Sequence, residues 1–372
     1  MKVALLMVYC VLTISFSFEI DWVDGSGSGS PLVSCYFVFG DSLVDNGNNN
    51  NNRGVARADY RPYGIDFSKQ MMPTGRFSNG RNIADFIGEF LGFENYIPPF
   101  KNTTGWDILK GVNYASGAAG IRKESGRTQG ERTSFDEQLI QHNHTISRIH
   151  NILGNNNSAT MAHLERCLYV VNIGGNDYLN NYFMPLSYNT SLQFSPQQYA
   201  IALNKQFSHQ LKTLYGQGAR KLAIFGAALA GCSPYARATF DHKDSPCVDH
   251  INNAIQLFNI GLKSSINDLN TDFTDAKFIF IDVYNIARHD TPNQGKVNTI
   301  TPCCEVGADG LQCVPLGKVC SNRSEYLFWD GVHPTEIRMK NLASRAFNAQ
   351  HSNDTYPFDI NHLVQFQPTS TL

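Results

Sequence analysis

Charge is scarce in this 372-residue chain: Asp, Glu, Lys and Arg make up 17% of it and the formal net charge is −2. That balance removes the electrostatic case for binding nucleic acid or an anionic membrane surface, and leaves partners to be selected by shape. Long apolar runs are also absent beyond the N-terminus. No later segment stays apolar for 18 residues, so no transmembrane anchor is expected in the body of the chain. Paired zinc knuckles are missing: in "CCEVGADGLQCVPLGKVC" the adjacent Cys303 and Cys304 and the wide gaps to Cys313 and Cys320 do not match the C-x(2–4)-C spacing of structural sites, and no metal or other cofactor is expected. His142, His144, His150 and His163 sit in polar, sequon-containing surroundings and read as surface histidines rather than ligands. No internal repeat is visible. The G-x-S-x-G elbow of α/β-hydrolases is absent too, so a nucleophilic serine has to be presented by another turn.

What is present begins with Lys2 followed by "VALLMVYCVLTISFSF" and the polar "DWVDGSGSGS", the pattern of a secretory signal peptide over residues 1–25, with cleavage between about Ser15 and Ser30. Removing Cys10 with it leaves Cys35, Cys167, Cys232, Cys247, Cys303, Cys304, Cys313 and Cys320, an even set that an oxidising compartment converts to disulfides. Local bridges within Cys303–Cys320 and between Cys232 and Cys247 are reasonable, but eight cysteines admit 105 pairings and spacing does not choose. Six N-x-S/T triplets, at Asn102, Asn143, Asn156, Asn189, Asn322 and Asn353, are glycosylation acceptors in a secreted chain.

Four short, nearly continuous apolar runs, Tyr36–Phe39, Leu168–Ile173, Lys221–Phe225 and Lys277–Asp282, read as strands buried on both faces. Helical periodicities separate them. Ile83, Phe86, Ile87, Phe90 and Leu91 form one stripe with Gly92 as its stop, Ser195-Pro196 starts another helix, and Ile251 to Ile266 carry a third stripe. Strand and helix in alternation predict one α/β domain over residues 33–365, a parallel central sheet between two helical layers (α/β/α). The Asn48–Asn52 tract reads as a solvated turn.

Ligands in such sheets bind beyond the carboxyl ends of the strands. The first strand runs into Gly40-Asp41-Ser42, the second into Gly174-Gly175-Asn176-Asp177, and "FWDGVHPTE" places Asp330 three residues before His333. A serine hydroxyl needs a base to take its proton, and the base works best when a carboxylate fixes its tautomer. Pro334 turns His333 away from helical dihedrals, so a helix is expected to begin near Thr335. Acyl transfer also builds an oxyanion, for which the Ser42 N–H, the Asn176 side-chain amide and an N–H of the Gly111–Gly120 loop are donors. The same pattern serves an esterase, a peptidase or a non-catalytic extracellular binding protein on the same scaffold, the last favoured only if a triad residue were missing.

Together "FGDSLVDNGNN", "PTGRFSNGR", "GVNYASGAAGI", "NIGGNDY" and "FWDGVHPTE" resemble, in order, the plant GDSL esterase/lipase family of the SGNH hydrolase superfamily. The resemblance covers nearly the whole mature chain. It implies a flavodoxin-like sheet topology and a secreted, extracellular carboxylic ester hydrolase of the cell wall or apoplast. Its substrate would be a small-molecule, lipid or acylated-sugar ester, and it would use no cofactor. It also implies Ser42 as nucleophile, His333 as general base, Asp330 as the carboxylate orienting it, and Asn176 and Gly117 as oxyanion donors. "SGAAG" replaces the commoner "SGGAG", so the backbone donor is Gly117 or Ala118, with Gly117 preferred.

Overall fold

The computed structural model describes residues 30–68, 71–240, 245–289 and 297–368. The expected signal peptide, residues 1–25, lies outside the described residues. Four parallel strands, β1 (Tyr36–Gly40), β2 (Leu168–Asn172), β3 (Lys221–Phe225) and β4 (Lys277–Ile281), lie side by side in that order, with Tyr36, Leu168, Lys221 and Lys277 in register. Each matches an apolar run of the sequence to within a residue. A two-residue strand β5 (Thr355–Tyr356) pairs antiparallel with the far edge of β4. Two residues carry no periodicity, so nothing in the sequence announced it.

The other edge of β1 is also occupied. The segment from Lys110 to Ser116 runs parallel to it, with Tyr36 N–H on the Lys110 carbonyl (3.0 Å), Val38 N–H on Val112 (3.0 Å), Tyr114 N–H on Val38 (2.7 Å) and Ser116 N–H on Gly40 (3.0 Å). Counting that segment as second in the chain, the spatial order of the parallel sheet is 2-1-3-4-5. This is the flavodoxin-like order, whose switch point, where ligands bind, falls between β1 and β2.

Helices close both faces. On one side α1 (Ile83–Phe90) is capped by the Asn82 side chain and followed by Gly92 at φ +86°. On the other, α2 (Phe135–Ile152), α3 (Pro196–Gly216, with Ser195 as cap) and α4 (Asp249–Asp272) pack on Phe37, Phe39, Tyr169, Val171, Ile224 and Phe280. The alternate strand residues Tyr36, Val38, Val170, Ala223, Phe225 and Ile279 face α1, α5 (Val283–His289), α6 (Glu336–Phe347) and α7 (Ile360–Gln365). Both alternating sets are apolar because both faces are covered. A third, smaller cluster packs Tyr63, Phe77 and Trp329 against the disulfides Cys303–Cys320 and Cys304–Cys313. Cys232–Cys247 and Cys35–Cys167 complete the set, so all eight cysteines are bridged.

Two readings of polar residues need correction. The asparagine tract is not a solvated turn: Asn48 and Asn49 are buried, and their amides donate to the carbonyls of Asn113, Ala115, Ala56 and Gly117 at 2.8 to 3.0 Å. A carboxamide supplies both donors and an acceptor, so it can satisfy a buried loop backbone that no ladder reaches. His142 is not at the surface either. It is fully buried between Phe37, Phe39, Tyr114 and Tyr169, with Nδ1 3.1 Å from the Tyr114 hydroxyl, and burial lowers its pKa to about 3. The spacing Phe135, Leu139, His142, Ile149 on the inner stripe of α2 was the available signal. His163 neighbours Cys35 and Cys167, the one cluster of metal-type ligands among the described residues, but those two sulfurs are bonded to each other. All six sequon asparagines are exposed.

Candidate active site

The site is built where β1 ends. Gly40 has φ +150°, and a Cβ there would stand 2.1 Å from the Asn172 carbonyl on β2, so only glycine lets the chain turn this close to its neighbour. The turn carries Asp41 and Ser42 past the strand end. Asp41 N–H donates to Asn172 O at 3.1 Å, and the Asp41 carboxylate accepts the Leu43 N–H at 3.1 Å. Ser42 Oγ then lies 2.8 Å from His333 Nε2.

Asp330 and His333 come from the opposite end of the chain, in a tight turn. Asp330 Oδ1 accepts the N–H groups of Val332 (2.9 Å) and His333 (2.7 Å), and Trp329 N–H closes onto His333 O at 2.7 Å. Asp330 Oδ2 stands 2.8 Å from His333 Nδ1. A carboxylate at Nδ1 assigns the proton to that nitrogen, which leaves Nε2 with a lone pair facing the serine hydroxyl. Thr335 caps α6 directly after Pro334, as the proline predicted. Asp330 is fully buried, and Ser42 and His333 are 9% and 7% exposed, enough to meet a ligand and little enough to keep bulk water from competing. The three residues separated by 291 positions in sequence therefore form one uninterrupted hydrogen-bonded line.

At the end of β2, Asn176 lines the same cavity as Ser42. Its amide donates one hydrogen to Ala119 O at 3.0 Å, and its carbonyl accepts from Asn180 Nδ2 at 2.6 Å. The second amide hydrogen remains for a ligand. Ser42 N–H has no protein acceptor among the described residues. Gly117 departs from expectation. Its N–H donates to Asp45 Oδ2 at 3.0 Å and is already committed, while its missing Cβ makes room for Phe77, whose ring would stand 2.5 Å from one. The neighbouring Ala118 takes the left-handed conformation at φ +66°.

Sequence reasoning missed the supports of this site. Asp45, three residues after Ser42, gathers the N–H groups of Gly47, Asn48 and Gly117. Asp177, next to Asn176, accepts Ile121 N–H (2.8 Å), Arg122 N–H (3.0 Å) and the Ser125 hydroxyl (2.6 Å). Two buried carboxylates thus pin the loop 117–125 from both sides. Burial pushes both up to about 6, with the donated hydrogen bonds opposing it, and pushes Asp41 up to about 7, opposed mainly by the Leu43 N–H and then by His333. Asp330 receives one further donor, the hydroxyl of Tyr63 at 2.7 Å from Oδ2.

Beside the triad opens a cavity of about 170 Å³, walled by apolar side chains including Leu43, Ile83, Leu179, Leu229, Val283 and Met339. These are the groups that acyl transfer would need: a hydroxyl, an imidazole with a fixed tautomer, N–H donors and an apolar slot.

The chain matches the GDSL-like Lipase/Acylhydrolase family over residues 36–346. Two GDSL esterase/lipases of Arabidopsis thaliana are each 46% identical to it, one across 95% of this chain and 96% of its own length, the other across 96% and 98%. A third, GDSL esterase/lipase 7 of the same plant, is 39% identical across 93% of this chain and 97% of its own. The OSK domain of Drosophila Oskar aligns over 50% of this chain and 66% of its own at 15% identity, with a TM-score of 0.22, a likeness that carries no argument. Among the described residues no helix is long and apolar enough to cross a membrane. The motifs, the sheet order and the matches together place this chain in the GDSL-like lipase/acylhydrolase family.

Proposed function

We propose that the chain is a secreted serine esterase that cleaves carboxylic esters through an acyl-enzyme. The observation that carries this reading is the line Ser42 Oγ, His333 Nε2, His333 Nδ1, Asp330 Oδ2, with both links at 2.8 Å. Ser42 Oγ attacks the ester carbonyl as His333 takes its proton, forming a C–O bond and a tetrahedral oxyanion. The Ser42 N–H and the Asn176 amide hold that oxyanion. Collapse breaks the bond to the alkoxide, which leaves as the alcohol with the proton from His333. Water, deprotonated by His333, then repeats the sequence on the acyl-enzyme and releases the acid. An intact relay on a cavity supports catalysis over ligand holding alone.

The cavity supports an apolar acyl group of modest size, since a site of about 150 Å³ takes up a benzene-sized molecule. The alcohol would be directed outward, which suits an acylated sugar or phenolic ester as well as a lipid. Secretion is supported by the leader-like N-terminus, four disulfides and the exposure of all six sequon asparagines, which we propose are glycosylated. The test is a p-nitrophenyl ester series from acetate to octanoate with parent and Ser42→Ala. The parent is expected to turn over the shorter members best, and Ser42→Ala to lose about 10³-fold or more in kcat. A variant keeping over about a tenth of parent turnover contradicts the assignment.

A further inference from the structure

Tyr63 lies outside every motif that announced the site, yet its side chain ends on the triad. The phenol O–H donates to Asp330 Oδ2 at 2.7 Å, the same oxygen that faces His333 Nδ1 at 2.8 Å. With the N–H groups of Val332 and His333 on Oδ1, Asp330 is surrounded by donors on both oxygens. The ring is fully buried, edge-on to Tyr60, Phe77 and Trp329, and Phe77 in turn packs on the His333 ring at 5.1 Å between centroids. The Tyr63 oxygen also accepts the backbone N–H of Cys313 at 3.3 Å, and Cys313 is bridged to Cys304. The same disulfide loop holds the backbone leading to Asp330, through Cys303 N–H on Phe328 O (3.0 Å) and Cys304 N–H on Trp329 O (2.9 Å).

We propose that Tyr63 is a positioning residue of the triad: it fixes the Asp330 carboxylate and draws off part of its charge, so that the relay runs Cys313 N–H, Tyr63 O–H, Asp330, His333, Ser42, with the Cys304–Cys313 bridge anchoring its outer end. The inference rests on the serine-esterase reading. Burial, and then the Asp330 charge, raise the Tyr63 pKa well above its ordinary value, so the phenol stays a neutral donor across the working range. A hydrogen bond to the carboxylate competes with the imidazolium for the same oxygen lone pairs. Removing it leaves Asp330 more negative and the protonated imidazole better stabilised. Among the described residues, the other titratable groups coupled to the pair are Asp41 on the Ser42 turn and Tyr60 on the segment of Tyr63, and Arg338 on α6 lines the same cavity as His333. Substitutions at position 63 leave all three in place.

The experiment compares kcat/KM pH profiles of parent, Tyr63→Phe, and protein carrying 3-fluorotyrosine at position 63, with Ser42→Ala as reference. Tyr63→Phe is expected to move the acidic limb up by about half to one pH unit and to lower kcat about tenfold with little change in KM. The more acidic fluorophenol, of nearly the same shape, is expected to move the limb down. In the Ser42→Ala background the downfield Nδ1 proton of His333 in NMR should shift on Tyr63→Phe, which reads the effect without turnover. If Tyr63→Phe does not fold, the fluorinated protein decides alone. A limb and a proton resonance unmoved by either change overturn the proposal while Ser42→Ala remains inactive; an active Ser42→Ala overturns the esterase reading instead.

Discussion

Replacing Asp330 by asparagine tests the relay at atomic detail, because the structure dictates how the amide must sit. Oδ1 accepts two backbone N–H groups, from Val332 at 2.9 Å and His333 at 2.7 Å, so the carbonyl oxygen of an asparagine has to occupy that position. The NH₂ group then takes the place of Oδ2 and points at His333 Nδ1, 2.8 Å away, and at the Tyr63 hydroxyl, 2.7 Å away. The phenol can rotate its hydrogen and accept. Nδ1 also stands 3.0 Å from Oδ1, but that oxygen already accepts two N–H groups, so the nearer NH₂ favours an imidazole that accepts at Nδ1 and carries its proton on Nε2, the nitrogen facing Ser42 Oγ. A base whose lone pair is turned away cannot deprotonate the serine. The expected loss is about 10⁴-fold in kcat, a barrier increase of about 5.5 kcal/mol, while the shape and the four hydrogen bonds survive, those to Tyr63 and His333 Nδ1 reversed, and stability changes by about 1 kcal/mol or less. Steady-state kinetics on p-nitrophenyl butyrate, with urea denaturation of the same preparation, measures both. An Asp330→Asn protein that folds like the parent and works within tenfold of it would refute the tautomer argument.

Three further predictions follow the same geometry. Asn176→Ala should cost about 10²–10³-fold in kcat through the lost oxyanion donor, and Asn180→Ala a smaller part of that, because it only orients the Asn176 carbonyl at 2.6 Å; equal parent-like rates for both would remove Asn176 from the hole. Asp177 keeps its proton in the folded state up to about pH 6 against 3.8 for the free group, so its contribution favours folding most below about pH 4 and is lost as pH rises through 6. Urea titrations at pH 5 and 7.5 should show Asp177→Asn losing less stability on alkalinisation than the parent, by about 1 kcal/mol, since part of the contribution is already gone at pH 5, and an identical pH dependence would contradict the burial argument. Finally, Cys35–Cys167 closes a separation of 132 residues and Cys304–Cys313 one of 9, so chain entropy assigns them about 5 and about 2.6 kcal/mol. Removing the first should lower Tm more yet spare activity, since it lies at the end of β1 and β2 away from Ser42, whereas removing the second should lower activity more than its stability cost suggests; the reverse ranking by differential scanning fluorimetry and turnover would be inconsistent with the map.

Much of this architecture was legible before any coordinates. Strands buried on both faces must be apolar at every position, and such runs stand out against amphipathic helices, so β1 to β4 were found to within a residue. Ser42, Asn176 and the Asp330–His333 pair were legible because each follows a strand or a breaker in a short motif. What stayed hidden depends on contacts distant in sequence. Tyr63 meets Asp330 across 267 positions, and no local pattern distinguishes it from any tyrosine in a loop. Asn48 and Asn49 misled because their polarity suggests solvent, whereas here the amides replace a missing ladder for the segment beside β1. Gly117 is the oxyanion donor that the family resemblance implies for the "SGAAG" loop, but Asp45 on the nucleophile turn, itself buried, claims that N–H. Composition shows that a group is polar; the fold decides which partner it satisfies.

The central claim is that Ser42 is the nucleophile. Incubation with a fluorophosphonate, followed by proteolysis and mass spectrometry, reads it directly, because the reagent bonds to the oxygen that the relay activates. The expected result is one adduct per chain, on the peptide containing Ser42, forming in step with the loss of esterase activity and absent from His333→Ala. Complete inactivation with the adduct on another residue, or undiminished turnover once Ser42 is fully modified, would contradict the account.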